Sequence, residues 1–314
     1  MKQRILTGSA MVAFLILLFI SKSNTTYIFD AFVVLLGIVA GYEISKLLTK
    51  IGFYNSKWSI VLYPIFAYAL FIFAMYKQLS LKLILVLEVA LVIFISGLVS
   101  FLCLILKKRT DNEIKTRKLN IKNEKFSLFK GIQTLFGLLY PGFILLALLI
   151  INNVQNLNYT LSLSGSGYYV SMFFLIYVFL IPMFVDTFAM LTGMIFKGKK
   201  LCEKISPKKT ISGAVGGVVW GVACAIAMYF IFNSIDSFRL LFISLNLKWW
   251  MVLIAGLISS VICQVGDIFE SYIKRKANVK DSGDILPGHG GILDRIDSHL
   301  ANMIVAVIFM LIII

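Results

Sequence analysis

Between Ser271 and Asp297 the chain reads SYIKRKANVKDSGDILPGHGGILDRID. The stretch gathers five basic residues (Lys274, Arg275, Lys276, Lys280, Arg295), four aspartates (Asp281, Asp284, Asp294, Asp297), His289 and a Pro-Gly-His-Gly-Gly turn. Such a mixture suits metal-assisted phosphate chemistry. Carboxylates hold a hard cation, Lys and Arg neutralise phosphate, and glycine lets backbone come close.

Three further pieces carry the same kinds of groups. In Gln264-Val265-Gly266-Asp267, the residues Asp267, Glu270 and Ser271 follow at i, i+3, i+4 and share one helical face. Asp294 and Asp297, at i, i+3, project together at the start of the last apolar run, with Arg295 between them in sequence. Asp267 and Asp294 brought to about 4 Å would repel by roughly 4 kcal/mol at an effective dielectric of 20. A divalent cation removes that cost, and oxygen ligands without Cys or paired His favour Mg²⁺ over zinc. Ser206, Lys208, Lys209 and Thr210 supply cations and hydroxyls just before a glycine-bearing helix start, where an anion is favoured. No G-x-x-x-x-G-K-[ST] loop occurs, so this is not a Walker P-loop. Asp186-Thr187, at the inner end of the sixth apolar run, is a cap or a ligand. His289 is either a turn or solvent-facing residue, or a phosphate contact or proton carrier.

The elements that must position these groups are membrane helices. The 314 residues are 60% hydrophobic and 14% charged, with a mean hydropathy of +0.92, whereas a soluble domain carries about 25% charged residues. The expected fold is an all-α integral membrane protein, a polytopic bundle of about nine transmembrane helices near 5–20, 27–45, 58–76, 81–106, 126–151, 168–185, 211–233, 248–263 and 299–314. No A-x-A-like site follows the first run, so it reads as a helix and not a cleaved signal. With the N-terminus cytoplasmic and the C-terminus outside, 25 of the 30 Lys and Arg fall on the inner side. The basic loop 107–125 is a solvated, topology-setting segment or a contact for anionic lipid headgroups. Two domains are expected: residues 1–125, with the amino-terminal helices and that loop, and 126–314, the catalytic part. The net charge of +15 records the positive-inside rule, and no aromatic-interleaved basic module suggests a nucleic-acid partner. Cys103, Cys202, Cys224 and Cys263 are scattered, so neither disulfides nor zinc is expected.

The run from Ser271 to Asp297 resembles the phosphatidate cytidylyltransferases, or CDP-diacylglycerol synthases: S-x-x-K-R-x4-K-D-x-G, then P-G-H-G-G, then D-R-x-D. Asp186-Thr187, with Ala189 and Gly193, and Ser206-Pro207-Lys208-Lys209-Thr210 are similar to the same family, which extends the resemblance over about 181–298. Two departures stand out. Ile211-Ser212-Gly213 replaces the family's Trp-Glu-Gly, and Phe188-Ala189-Met190 replaces its usual Gly and Ala-Tyr. The resemblance implies attack of phosphatidic acid on the α-phosphate of CTP, giving CDP-diacylglycerol and pyrophosphate. It implies a metal centre on Asp267 and Asp294, to which Asp297 and Asp186 are added as candidate ligands. The metal would be Mg²⁺, with a second metal or a monovalent cation as a further candidate. Lys280 and Asp281 join Asp267 and Asp294 as catalytic candidates. Ser206, Lys208, Lys209, Thr210, Lys274, Arg275, His289 and Arg295 would face substrate. A homodimer among membrane lipids, in a bacterial plasma membrane with a cytoplasmic active site, is also expected.

Other readings make different demands. A CTP-using lipid kinase of the dolichol kinase type would lack the complete K-D…P-G-H-G-G…D-R-x-D run. A CDP-alcohol phosphotransferase needs a D-G-x2-A-R piece that is absent. A transporter would use intramembrane acids such as Asp30, Glu43 and Glu88, but no internal repeat is visible. Asp30 and Glu43 lie near span ends and read as solvated or snorkelled, whereas Glu88 is deeper and its role is open, between a functional group and the partner in an inter-helix hydrogen bond.

Overall fold

The computed structural model describes residues 2–22, 25–117, 119, 121–157, 167–286, 288 and 290–314. It is a polytopic all-α membrane protein. Among the described residues, eight helices are long and apolar enough to cross a membrane: α2 (Tyr27–Ile51), α3 (Lys57–Tyr76), α4 (Leu81–Ile105), the broken helix Asn123–Asn152, α8 (Gly167–Phe196), α9 (Ile211–Asn233), α11 (Trp249–Lys276) and α12 (Leu293–Ile313). The first expected run is also helical, as α1 (Lys2–Ser21). Short helices α5 (Lys107–Thr116) and α10 (Asp236–Ser244) lie in connections expected to be loops. The broken helix consists of α6 (Asn123–Gly137), a π-helical turn at Leu138–Phe143 and α7 (Ile144–Asn152). Its bend falls at Tyr140, beside Pro141, whose ring and missing N–H interrupt the ladder. Large apolar side chains such as Leu17, Val86, Phe94 and Ile312 are more than 60% exposed, a surface that only lipid makes tolerable.

Helix lengths correct two expected boundaries. The sixth run was expected to end at 185, placing Asp186 at a helix terminus, but α8 is 30 residues long and continues to Phe196. The eighth was expected to end at 263, but α11 is 28 residues long and carries Asp267, Glu270, Lys274 and Arg275 on unbroken helix. At 1.5 Å per residue both helices exceed the ~30 Å hydrocarbon thickness by more than 10 Å.

The chain forms two compact units. The first comprises residues 1–146 and 276–293. Within it, Gly37 packs on Pro64 and Gly41 on the Ile60 carbonyl, which closes α2 onto α3. From α6, Gln133 Oε1 accepts from Tyr54 N at 2.5 Å and Thr134 Oγ1 from Ser56 N at 2.8 Å, satisfying amides of the connection that leads into α3. The second unit comprises residues 147–275 and 294–314. Its buried centre includes Phe173, Phe174, Tyr177 and Phe309. Asn302 of α12 donates to the Tyr177 and Val178 carbonyls of α8 at 3.3 and 3.2 Å.

Candidate active site

The second unit assembles its polar groups through close helix approach. A Cβ on Gly213 would lie 2.6 Å from the Ala189 carbonyl of α8, and one on Gly217 3.0 Å from that of Val185. These two positions therefore let α9 lie against α8 as any larger residue would not. Thr210 caps α9 by accepting from Gly213 N at 3.1 Å. Lys200–Cys202 (β1) and Ser206–Thr210 (β2) form an antiparallel hairpin where a loop was expected. Arg275 of α11 donates to the Ile205 carbonyl at 3.1 Å and holds the hairpin's turn. On the other side, a Cβ on Gly266 would lie 2.6 Å from Ala301 Cβ and 2.9 Å from the Asp297 carbonyl. The glycine before Asp267 is thus what allows α12 to approach α11.

This packing brings five carboxyl groups together. Asp186 lies within electrostatic reach of Asp267 and Asp297, and its Oδ1 accepts from Ser298 Oγ at 3.4 Å. Asp297, 8% exposed, interacts with Glu270 and Asp267. Two lysines penetrate the cluster. Lys209 Nζ stands 2.5 Å from Asp267 Oδ2. Lys274 Nζ bridges Glu270 Oε2 at 3.1 Å and Asp294 Oδ1 at 2.6 Å. Asp267 also accepts from Ser271 Oγ at 3.4 Å, as the i, i+4 spacing anticipates. Glu270 is fully buried, and its Oε1 receives no N–H or O–H donor among the described residues, with the Asp297 carboxyl group beside the Glu270 carboxyl.

The donor set suits a hard divalent cation: oxygen ligands only, a buried carboxylate oxygen that receives no donor among the described residues, and five acids around two ion-paired lysines. In the described conformation, no three His, Cys, Asp or Glu side chains among the described residues converge on a single ion position, and the lysines' ammonium groups lie against Asp267 and Asp294 instead.

The other expected site residues are placed as follows. Ser206 and Lys208 lie on β2, Lys208 exposed, and Arg295 is exposed in the first turn of α12. Lys280 and Asp281 are exposed and belong to the first unit, on the segment between α11 and α12. His289 and Pro287 lie outside the described residues. Sequence reasoning missed Glu43. It is 1% exposed and bonded to that same segment, neither solvated nor snorkelled. Asp30 is likewise fully buried, with Tyr68 Oη donating to it at 3.4 Å. Glu88 is fully buried, and neither of its carboxylate oxygens has a hydrogen-bond partner among the described residues, so of its two open readings the inter-helix hydrogen bond is not formed. The available signal was general: a carboxylate inside an apolar run has a job.

Comparison with known proteins gives the chain a family. A phosphatidate cytidylyltransferase of Rickettsia conorii is 45% identical over 122 residues, 38% of this chain and 50% of that protein. One of Staphylococcus haemolyticus is 42% identical over 127 residues, 40% of this chain and 45% of that protein. One of Rickettsia prowazekii is 39% identical over 165 residues, 52% of this chain and 68% of that protein. The chain spans about half the length of the first two. The model of the cytidylyltransferase family matches residues 2–313, and the chain belongs to that family.

Proposed function

We propose that the protein is a phosphatidate cytidylyltransferase, transferring the cytidylyl group of CTP to phosphatidic acid. The observation that carries this reading is the lysine-held carboxylate cluster of Asp267, Glu270 and Asp294, in which Lys274 and Asp294 belong to the Ser271–Asp297 pattern of a chain in this family. A phosphate oxygen of the lipid attacks the α-phosphorus of CTP, the bond to the β-phosphate oxygen breaks, and pyrophosphate leaves. The nucleophile is already anionic near neutral pH, so the obstacle is repulsion between anions and not a missing base. Lys209 and Lys274 hold carboxylates in the described form, and an incoming phosphate competes for the same ammonium groups. Lys208, Ser206 and Thr210 on and beside β2, with Arg275 and Arg295, add donors for phosphate oxygens. Asp267 and Asp294, with Asp297 and Asp186, would hold Mg²⁺, which supplies charge neutralisation to the phosphates. A second metal or a monovalent cation would draw on the same acids.

The charge asymmetry supports a cytoplasmic N-terminus and a cytoplasmic site, in a bacterial plasma membrane where the acyl chains stay in lipid while the headgroup meets the nucleotide. The family resemblance supports a homodimer. The test mixes purified protein with Mg²⁺, phosphatidic acid and CTP labelled at the α- or the γ-phosphate. Lipid labelled only from the α-position is expected. Label only from the γ-position would identify a kinase, and label from neither would overturn the reading.

A further inference from the structure

Glu43 stands on α2, far in sequence from every residue assigned a chemical role above. A buried carboxylate is strongly disfavoured unless donors satisfy it. Here three converge: Ser282 Oγ donates to Oε2 at 2.9 Å, Leu293 N to Oε2 at 2.8 Å and Ile292 N to Oε1 at 3.0 Å. All three donors are neutral, and two are backbone amides at the beginning of α12. Amides there have no intrahelical acceptor, and the helix dipole favours an anion beside them. Neither Gly291 nor Ile292 has a side chain able to cap this helix, and Glu43 does so from another helix.

The fit leaves no slack. A Cβ on Gly283 would lie 2.4 Å from Glu43 Oε1, and one on Gly291 within 2.7 Å of both carboxylate oxygens. The glycine of K-D-S-G and the last glycine of G-H-G-G are therefore small because the Glu43 carboxylate fills the space beside them. A cavity of about 290 Å³ borders the clamp, lined by Tyr42, Lys46, Asp284 and Ile285 together with Glu43, so a released segment has room to move.

We propose that Glu43 is a positioning residue for the transfer reaction, clamping the segment 282–293 at both ends. Asp281 immediately precedes Ser282 and Asp294 immediately follows Leu293, so the clamp fixes where both candidate catalytic residues emerge from the backbone. The catalytic consequence rests on the transferase reading, but the clamp itself does not.

The test uses the full chain in lipid nanodiscs, with Glu43→Ala, Glu43→Gln and Ser282→Ala. Three quantities are read: amide hydrogen exchange over 277–293, kcat and KM for CTP per folded molecule, and thermal stability. Glu43→Ala is expected to accelerate exchange across the segment at least tenfold. It should lower kcat by about 100-fold, the size of effect that a 1 Å misplacement produces, with KM for CTP changed far less. Glu43→Gln, which keeps one acceptor oxygen, should recover part of kcat, and Ser282→Ala, which removes one donor of three, should lose least. If Glu43→Ala does not fold, the ordering of Glu43→Gln and Ser282→Ala decides instead. Unchanged exchange, or a lowered melting temperature with kcat intact, would overturn the proposal. If the wild type makes no CDP-lipid, the transferase reading falls and the exchange data alone decide the clamp: acceleration upholds it, no change overturns it.

Discussion

Carboxylates in the two units of this molecule are held in opposite ways. Glu43, in the first unit, is held by a hydroxyl and two backbone amides. Asp267, Glu270 and Asp294, in the second, are held by lysine ammonium groups. Amides fixed in the backbone cannot leave, so the first arrangement is permanent scaffolding. A lysine ends a flexible stem and is itself a phosphate ligand, so the second arrangement can be exchanged for substrate. The difference separates a carboxylate bound to backbone from carboxylates bound to mobile side chains, the ones that the proposed function assigns to a cation.

The strongest break of this comparison comes at Asp294. Asp294→Asn keeps the shape but removes the charge, while Lys274 retains Glu270 as a partner. Loss of at least ~10³-fold in CDP-lipid formation is expected, on the scale of removing a transition-state electrostatic group, with membrane insertion and melting temperature nearly unchanged. Asp267→Asn should behave alike. Full activity in either variant would remove these residues from the metal assignment. Next in size is Lys274→Met. Its side chain and those of both partners are at most 12% exposed, and stripping the cation from a buried pair costs about 3–5 kcal/mol. Lys274→Met should therefore lose stability as well as activity, read by thermal unfolding in detergent. A stable but inactive variant would make Lys274 a substrate contact only.

What the sequence made legible follows from how unusual each signal is in an apolar chain. Acids, lysines and glycines stand out against 60% hydrophobic composition, so the residues of the second unit's cluster were found by type. The Asp267–Ser271 pair obeyed helical spacing. Glu43 was misread because its donors lie 239 to 250 residues away and two are backbone amides, which have no sequence signature. The strand at Ser206–Thr210 was missed because Ser-Pro-Lys-Lys-Thr lacks alternating apolar residues and Pro207 argues against a strand. A two-stranded hairpin is all edge, where proline is tolerated. The end of α8 was misplaced because Asp186 interrupts an apolar run that resumes at Phe188–Phe196, and that of α11 because its last turns, Asp267–Lys276, are mostly polar.

A smaller change sharpens the role of packing. Gly266→Ala would drive a methyl into Ala301 and the Asp297 carbonyl, and overpacking of this kind costs about 1–3 kcal/mol. Because the strain falls between α11 and α12, it should separate Asp267 from Asp297 and weaken activation by Mg²⁺ more than it raises KM for phosphatidic acid. A Mg²⁺ titration of product formation distinguishes the two, and an unshifted Mg²⁺ dependence would detach Gly266 from the metal site.

The smallest stability effect belongs to Lys209→Ala, and it is the most discriminating. Lys209 and Asp267 are each 26% exposed, so their ion pair contributes about 1 kcal/mol or less, and the melting temperature should barely move. If Lys209 only neutralises Asp267, its loss should leave KM for CTP unchanged and strengthen Mg²⁺ binding, since the cation no longer competes with an ammonium. If Lys209 transfers from Asp267 to a phosphate, KM for CTP should rise while the Mg²⁺ requirement falls. The exchangeable character assigned to the second unit's carboxylates predicts the latter, so an unchanged KM for CTP would make this pair as permanent as the clamp at Glu43.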